Sequence, residues 1–282
     1  MEKLRFTQNR SILRTLAKNS FKAIDEGAYD VNSNDNERNY YTHQAISIKN
    51  KILASQHIPL ITEIKYASPS KGVLVDSEKF VVEKIASTME HAGASGISVL
   101  SQPYLFHGSI SNVKRARRST SLPILMKDII VSDIQIKAAK SSGADCILLI
   151  KSIFDKDLAE KDLETLAEYA SKIGLEVILE THDLEEFKYA VRLHRVKPEH
   201  VHVIGINNRN LDTLEISLDT TINILSNSSK SGNLIISESG INQASDIRRL
   251  TEAGADAFLI GSSLMENPET IEDRIKELSN IQ

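Results

Sequence analysis

The chain has 282 residues, 41% apolar and 26% charged, which is enough of both for a large core under a solvated surface and excludes an unfolded chain. Its formal net charge of −4 disfavours a general nucleic-acid or membrane partner, yet leaves room for a local cationic pocket that takes a small anion. The single cysteine, Cys146, lies inside the apolar run Cys146-Ile147-Leu148-Leu149-Ile150; it reads as a buried thiol and excludes an internal disulfide framework.

Met1-Glu2-Lys3-Leu4-Arg5 leads into no apolar stretch long enough for a signal peptide or a span, so a cytoplasmic location is expected. The pattern over 6–24 predicts one amphipathic helix, and the polar stretch from Asp30 to Asn39 predicts a surface loop. Short β-branched or aliphatic runs then predict strands near 59–65, 96–100, 123–127, 144–150, 175–180, 201–206, 233–237 and 256–260. Helical patterns separate them, for example Ser132 to Ser142 and Asp155 to Ile173. Near-continuous apolar strands alternating with helices imply a parallel sheet buried on both faces. Eight such units point to a closed (β/α)8 barrel, with an open doubly wound sheet as the competing architecture. Residues 1–50 are then a helical extension packed on the barrel and 51–282 the catalytic barrel. A glycine-led grammar recurs at Gly93, Gly143 and Gly254, each followed by a tight turn and an apolar strand. That is the signature of left-handed helix ends at the barrel's stability face.

Catalysis in such a barrel sits at the C-terminal ends of the strands, and those ends carry costly polar groups. The first strand ends Thr62-Glu63-Ile64-Lys65, with acid and base two apart on one side. The third ends Met126-Lys127-Asp128, the fifth Ile178-Leu179-Glu180, and the sixth Gly205-Ile206-Asn207-Asn208-Arg209. Ionisable groups inside apolar strands need partners or a task. Ser237-Glu238-Ser239-Gly240-Ile241 and Ile260-Gly261-Ser262-Ser263-Leu264, after the last two strands, offer amides and hydroxyls to a phosphate. Ser68-Pro69-Ser70-Lys71-Gly72 reads as a mobile substrate cover. His200 and His202 lack a third ligand, so no metal is expected. With no Gly-x-Gly-x-x-Gly or Walker sequence, no nucleotide cofactor is expected either. The basic run Lys114-Arg115-Ala116-Arg117-Arg118 reads as the solvated outer face of a helix.

These motifs, in this order over about residues 58–270, resemble the indole-3-glycerol phosphate synthase family. The resemblance rests on Glu63-Ile64-Lys65 with Ser68 to Gly72, Phe106-His107-Gly108-Ser109, Pro123 to Asp128, Ile178-Leu179-Glu180, Gly205 to Leu211, Glu238 to Ile241 and Ile260 to Met265. It implies ring closure of 1-(2-carboxyphenylamino)-1-deoxyribulose 5-phosphate to indole-3-glycerol phosphate with loss of CO2 and water, without a cofactor. Lys127 is implied as general acid, its apolar surroundings lowering its pKa, and Glu180 as general base. Lys65 is implied to bind the substrate carboxylate, its share in a second acid step left open. Glu63 orients the lysines, and Asn207 contacts sugar hydroxyls. Arg209 supports Asn207 or the substrate carboxylate. Glu238 positions hydroxyls or lysines, and Ser68, Ser239, Gly240, Gly261 and Ser262 hold phosphate. Partners are limited to this phosphorylated small molecule, and a monofunctional monomer is expected. The chain departs from the family at Ile129, where a phenylalanine is usual, at Ala67, where some members carry a basic residue, and at His107. Any aromatic cover must come from Phe or Tyr, because the chain has no tryptophan. Phosphoribosylanthranilate isomerase and pentose-phosphate epimerases share the phosphate loops, but would not be expected to carry Glu63, Lys65, Lys127 and Glu180 together. A barrel that has lost catalysis and serves in binding is the third reading.

Overall fold

In the computed structural model, which describes residues 11–30, 43–68 and 71–281, eight parallel strands close on themselves. They are β1 (Leu60–Ile64), β2 (Gly96–Leu100), β3 (Ile124–Lys127), β4 (Cys146–Ile150), β5 (Glu176–Thr181), β6 (Val203–Asn207), β7 (Ile235–Glu238) and β8 (Ala257–Ile260). β1 pairs with both β8 (Leu60↔Phe258) and β2 (Ile61↔Gly96), so the sheet has no edge and the open alternative is excluded. Every predicted strand is present, its ends displaced by two residues at most.

The helices are α1 (Ile12–Asp25), α2 (Ile48–Leu53), α3 (Val82–His91), α4 (Pro103–Phe106), α5 (Ile110–Ser119), α6 (Asp133–Ser141) and α7 (Lys151–Asp155). They continue with α8 (Leu163–Lys172), α9 (Leu184–Val196), α10 (Asp219–Asn227), α11 (Ala244–Ala253), α12 (Ser262–Met265) and α13 (Ile271–Ser279). The helix expected over 6–24 is found as α1, and residues 6–10 lie outside the described residues, as do 31–39 of the predicted loop. The helix expected from Asp155 to Ile173 begins only at Leu163, as α8, and α7 ends at Asp155. Asp157 turns left-handed at φ 51°, and the Asp162 side chain accepts from the Thr165 amide at 2.8 Å to start α8 afresh. Gly93, Gly143 and Gly254 adopt φ of 95°, 83° and 108°, a conformation that costs a side-chain-bearing residue energy.

Alternate strand residues feed two separate cores. Leu60, Ile97, Ile124, Ile147, Val177, Ile204 and Phe258 pack outward against the helices. Ile61, Leu125, Leu148, Ile178, Val203, Ile236 and Leu259 fill the lumen, as a period of two requires. The segment before β1 caps that lumen at both ends, with α2 running across the expected boundary at residue 50. Ile12, Leu13 and Leu16 of α1 join its cluster from above, and Ile48 and Ile52 of α2 from below. Below, Glu176 at the start of β5 accepts from the Ile48 and Lys49 amides at 2.8 and 3.2 Å, a carboxylate on the positive end of α2.

The basic run on α5 is not the solvated face expected of it. Lys114 and Arg117 are buried, and Arg117 Nη1 donates to the fully buried Asp145 at 2.8 Å. Asp145 also accepts from the Ile46 and Ile124 amides, each at 2.7 Å, so one carboxylate ties α5, the extension and β3 together at the barrel floor.

Candidate active site

Two residues beyond the apolar plug, the lumen-facing positions become polar. Ile61 is followed on the same side of its strand by Glu63, Leu125 by Lys127, Ile178 by Glu180, Ile236 by Glu238, and Val203 by Gly205 and then Asn207. The strand pleat thus raises a ring of functional groups on an apolar base. Glu63 joins two lysines, with Oε1 2.6 Å from Lys65 Nζ and Oε2 3.3 Å from Lys127 Nζ. Lys127 reaches Glu238 Oε2 on its other side at 2.9 Å.

Burial and charge set the protonation states. Burial works against the Glu63 carboxylate, but Lys65 and Lys127 outweigh it and hold the pKa down to about 2. Glu180 also lies below the ordinary carboxylate value: burial opposes this, and His182, Lys127 and Asn207 prevail. Glu238 goes the other way, to about 7, because burial, reinforced by Glu180, exceeds what Lys127 returns. The lowered Lys127 pKa expected from its apolar neighbours is overturned. Burial does disfavour the cation, yet Glu238, Glu63 and Glu180 together hold its pKa well above the usual lysine value.

A cavity opens above this ring. Glu63, Lys65, Lys127, Glu180, Asn207 and Arg209 line its floor, and Ser68, Ser239, Gly240, Gly261 and Ser262 line one end. Glu238 is absent from the wall: it lies fully buried behind Lys127 and meets the lysine instead. Arg209 supports Asn207 through its main chain, its amide donating to Asn207 Oδ1 at 2.9 Å. At the polar end Ser239 and Gly240 both take positive φ, 70° and 82°, and Gly261 and Ser262 begin α12. Successive left-handed residues and a helix start present amides to an anion.

Ile12, Leu16 and Leu211 line the wall too, although nothing in the sequence assigned them a role there. Lys71 lines the polar end and pairs with Glu266, supplying a cation there. Ala67 is buried in a short ladder with Val73 and takes no part in the wall. Pro69 and Ser70 of the expected cover lie outside the described residues. Ile12, Leu16, Phe106, Ile129 and Leu211 also line the cavity and make part of its wall apolar. Glycine has a further role, legible only in three dimensions. A Cβ on Gly261 would sit 2.4 Å from Glu63 Oε1, and one on Gly205 would sit 2.5 Å from Glu238 Oε1. Among the described residues no group of three or more His, Cys, Asp or Glu is placed to hold a metal ion.

The cavity therefore offers a proton donor and a carboxylate base over an apolar slot, with an anion-binding end. A sequence model described as indole-3-glycerol phosphate synthase matches residues 13–278. The indole-3-glycerol phosphate synthase of Polaromonas naphthalenivorans is 36% identical over 247 residues, covering 88% of this chain and 89% of the relative. That of Campylobacter curvus is 42% identical over 229 residues, covering 79% and 82%. Among solved structures, the N-acetylmannosamine-6-phosphate 2-epimerase of Clostridium perfringens aligns with TM-score 0.56 over 84% of this chain and 98% of that one. At 13% identity it shares the fold alone.

Proposed function

The chain belongs to the indole-3-glycerol phosphate synthase family, and we propose that the ring of groups above the lumen carries out the synthase reaction with the following division of roles. The substrate is 1-(2-carboxyphenylamino)-1-deoxyribulose 5-phosphate; a ring carbon attacks its ketone, CO2 leaves, and the new hydroxyl departs as water. The phosphate binds at the Ser68, Lys71, Ser239, Gly240, Gly261 and Ser262 end, and the aromatic ring lies against Phe106, Ile129 and α1. The observation that carries this reading is the Lys65–Glu63–Lys127 set of ion pairs at the cavity floor, backed by Glu238 behind Lys127.

Lys127 protonates the ketone oxygen as the carbon–carbon bond forms. Its raised pKa keeps it charged at neutral pH, and the driving force for transfer comes from the alkoxide that develops in the transition state. Glu63 holds both lysines at fixed distance, and Lys65 binds the substrate carboxylate, placing its cation beside the group that departs as CO2. Glu180, held as a carboxylate, removes the proton whose loss makes the pyrrole ring aromatic. Asn207 holds the sugar hydroxyls, and Arg209 fixes Asn207. A phosphate ester that cannot cross a bilayer unaided supports a cytoplasmic site of action.

The test is turnover of this substrate, followed by product fluorescence, in wild type and Lys127→Ala. The expected result is a loss of about a hundredfold or more in kcat, the scale of a missing general acid. Full activity of Lys127→Ala would move the acid role to Lys65, and no turnover by folded wild type would end the proposal.

A further inference from the structure

Behind Glu180 stands a set of groups that the reaction above does not use. His182 Nε2 lies 3.1 Å from Glu180 Oε1, an ion pair rather than a linear hydrogen bond, and Nδ1 lies 3.3 Å from Glu186 Oε2 in the first turn of α9. Glu186 is itself held, accepting from the His182 amide at 2.8 Å and from the Ser152 hydroxyl on α7. The imidazole is absent from the wall of the substrate cavity and lines an adjoining one. The charged groups around it come from four elements. They are Glu180 on β5, Glu186 and Asp183 at the start of α9, Asp155 and Lys156 at the end of α7, and Arg209, Asp212 and Glu215 in the loop after β6. Asp212 is already occupied by Ser11 at 2.8 Å and Lys156 at 3.2 Å.

We infer that His182 is a positioning residue for ring closure: as an imidazolium clamped by Glu186, it holds Glu180 ionised and directed at the substrate. The inference rests on the reading of Glu180 as the general base. A carboxylate sunk in an apolar barrel would otherwise take up a proton and lose its function as a base at neutral pH. A cation in contact prevents this, and a cation held on its far side by a second carboxylate stays charged. Burial works against the imidazolium, yet Glu180 and Glu186 raise His182 to about 10. The substrate never meets the ring, so its loss acts on chemistry rather than on binding.

Two measurements on the intact enzyme test this. In His182→Asn, kcat is expected to fall about tenfold or more while KM stays within about twofold, the pattern of a lost transition-state contribution. The acidic limb of kcat/KM against pH is expected to move up by about one unit, as for a carboxylate deprived of an adjacent cation. In 15N-histidine-labelled wild type, with His182→Asn identifying the resonance, the ring is expected to read as imidazolium at pH 8, below its raised value of about 10. A neutral ring there, or an acidic limb that stays in place in His182→Asn, overturns the inference. Glu180→Gln separates the two levels of the argument. If that variant keeps its kcat, Glu180 is not the base and the underlying reading fails; if it loses activity while His182→Asn titrates like wild type, this inference alone fails.

Discussion

Gly261 stands where any side chain would collide with Glu63. A Cβ there would meet Glu63 Oε1 at 2.4 Å and Glu63 Cβ at 2.9 Å. The second contact matters more, because a Cβ cannot swing away as a carboxylate can without moving β1 itself. Gly205 differs: its added Cβ would be closest to the Glu238 carboxylate, at 2.5 Å, with the next heavy atom 3.5 Å away. Gly261→Ala is therefore expected to displace Glu63 from between Lys65 and Lys127. The predicted stability cost is about 1–3 kcal/mol for overpacking, with a fall in kcat of about a hundredfold, the scale of a misplacement near 1 Å. Steady-state kinetics beside a thermal melt would check it. A variant that melts lower but turns over normally would show that the position of Glu63 is not critical.

At the level of elements, α1 is more than an appendage, because the segment after it is latched to the catalytic strand. Tyr29 donates to Asp128 Oδ2 at 2.7 Å, and Asp128 follows Lys127 directly. Asp128 also accepts from the Ile129 amide at 2.7 Å and from the Ser101 hydroxyl. Burial still carries its pKa to about 6. Tyr29→Phe removes one donor from a buried carboxylate and is expected to cost about 1–3 kcal/mol in urea unfolding above pH 6. An unchanged midpoint would show that the extension docks without this bond. α1 itself was legible from its periodicity, as were the eight strands, because both patterns are local. Tyr29 was not, since nothing near it in the chain names Asp128 as its partner. The same limit explains the misread basic run: Arg117 looks solvated until the turn before β4 brings Asp145 beneath it. Glu63, Lys65, Lys127, Glu180 and Asn207 could be found because a polar residue ending an apolar strand is locally anomalous. His182 and Glu186 occupy a polar stretch where neither stands out.

Over the whole molecule, buried charge is concentrated at the two ends of the barrel with opposite consequences. At the floor, Asp145 is matched by Arg117 and main-chain donors. At the top, Glu63, Glu180 and Glu238 share their lysines, and Glu238 retains the poorest share, with Oε1 buried and without a hydrogen bond among the described residues. Its pKa of about 7, against an ordinary 4.5, means that the folded state binds this proton more tightly than the unfolded chain does. The resulting stabilisation is complete below about 4.5 and is lost as pH rises through about 7, where the fold must house a third buried carboxylate. Glu63 contributes in the other sense, its share being lost only as pH falls from 4.5 through about 2, so it is constant near neutrality. Glu238→Gln stays neutral at every pH. Its melting temperature is thus expected to gain on wild type as pH rises from 5 to 8, across the Glu238 value of about 7. Contributions from Asp128 and His182 are common to both proteins and cancel in the difference. The same substitution should lower kcat, because Lys127 then keeps Glu63 as its remaining carboxylate within ion-pair distance and loses the grip that fixes its ammonium under the ketone. A melting difference that is flat across this range would mean that Glu238 titrates like an ordinary carboxylate. The charge at the top of the barrel would then be balanced as well as the charge at its floor.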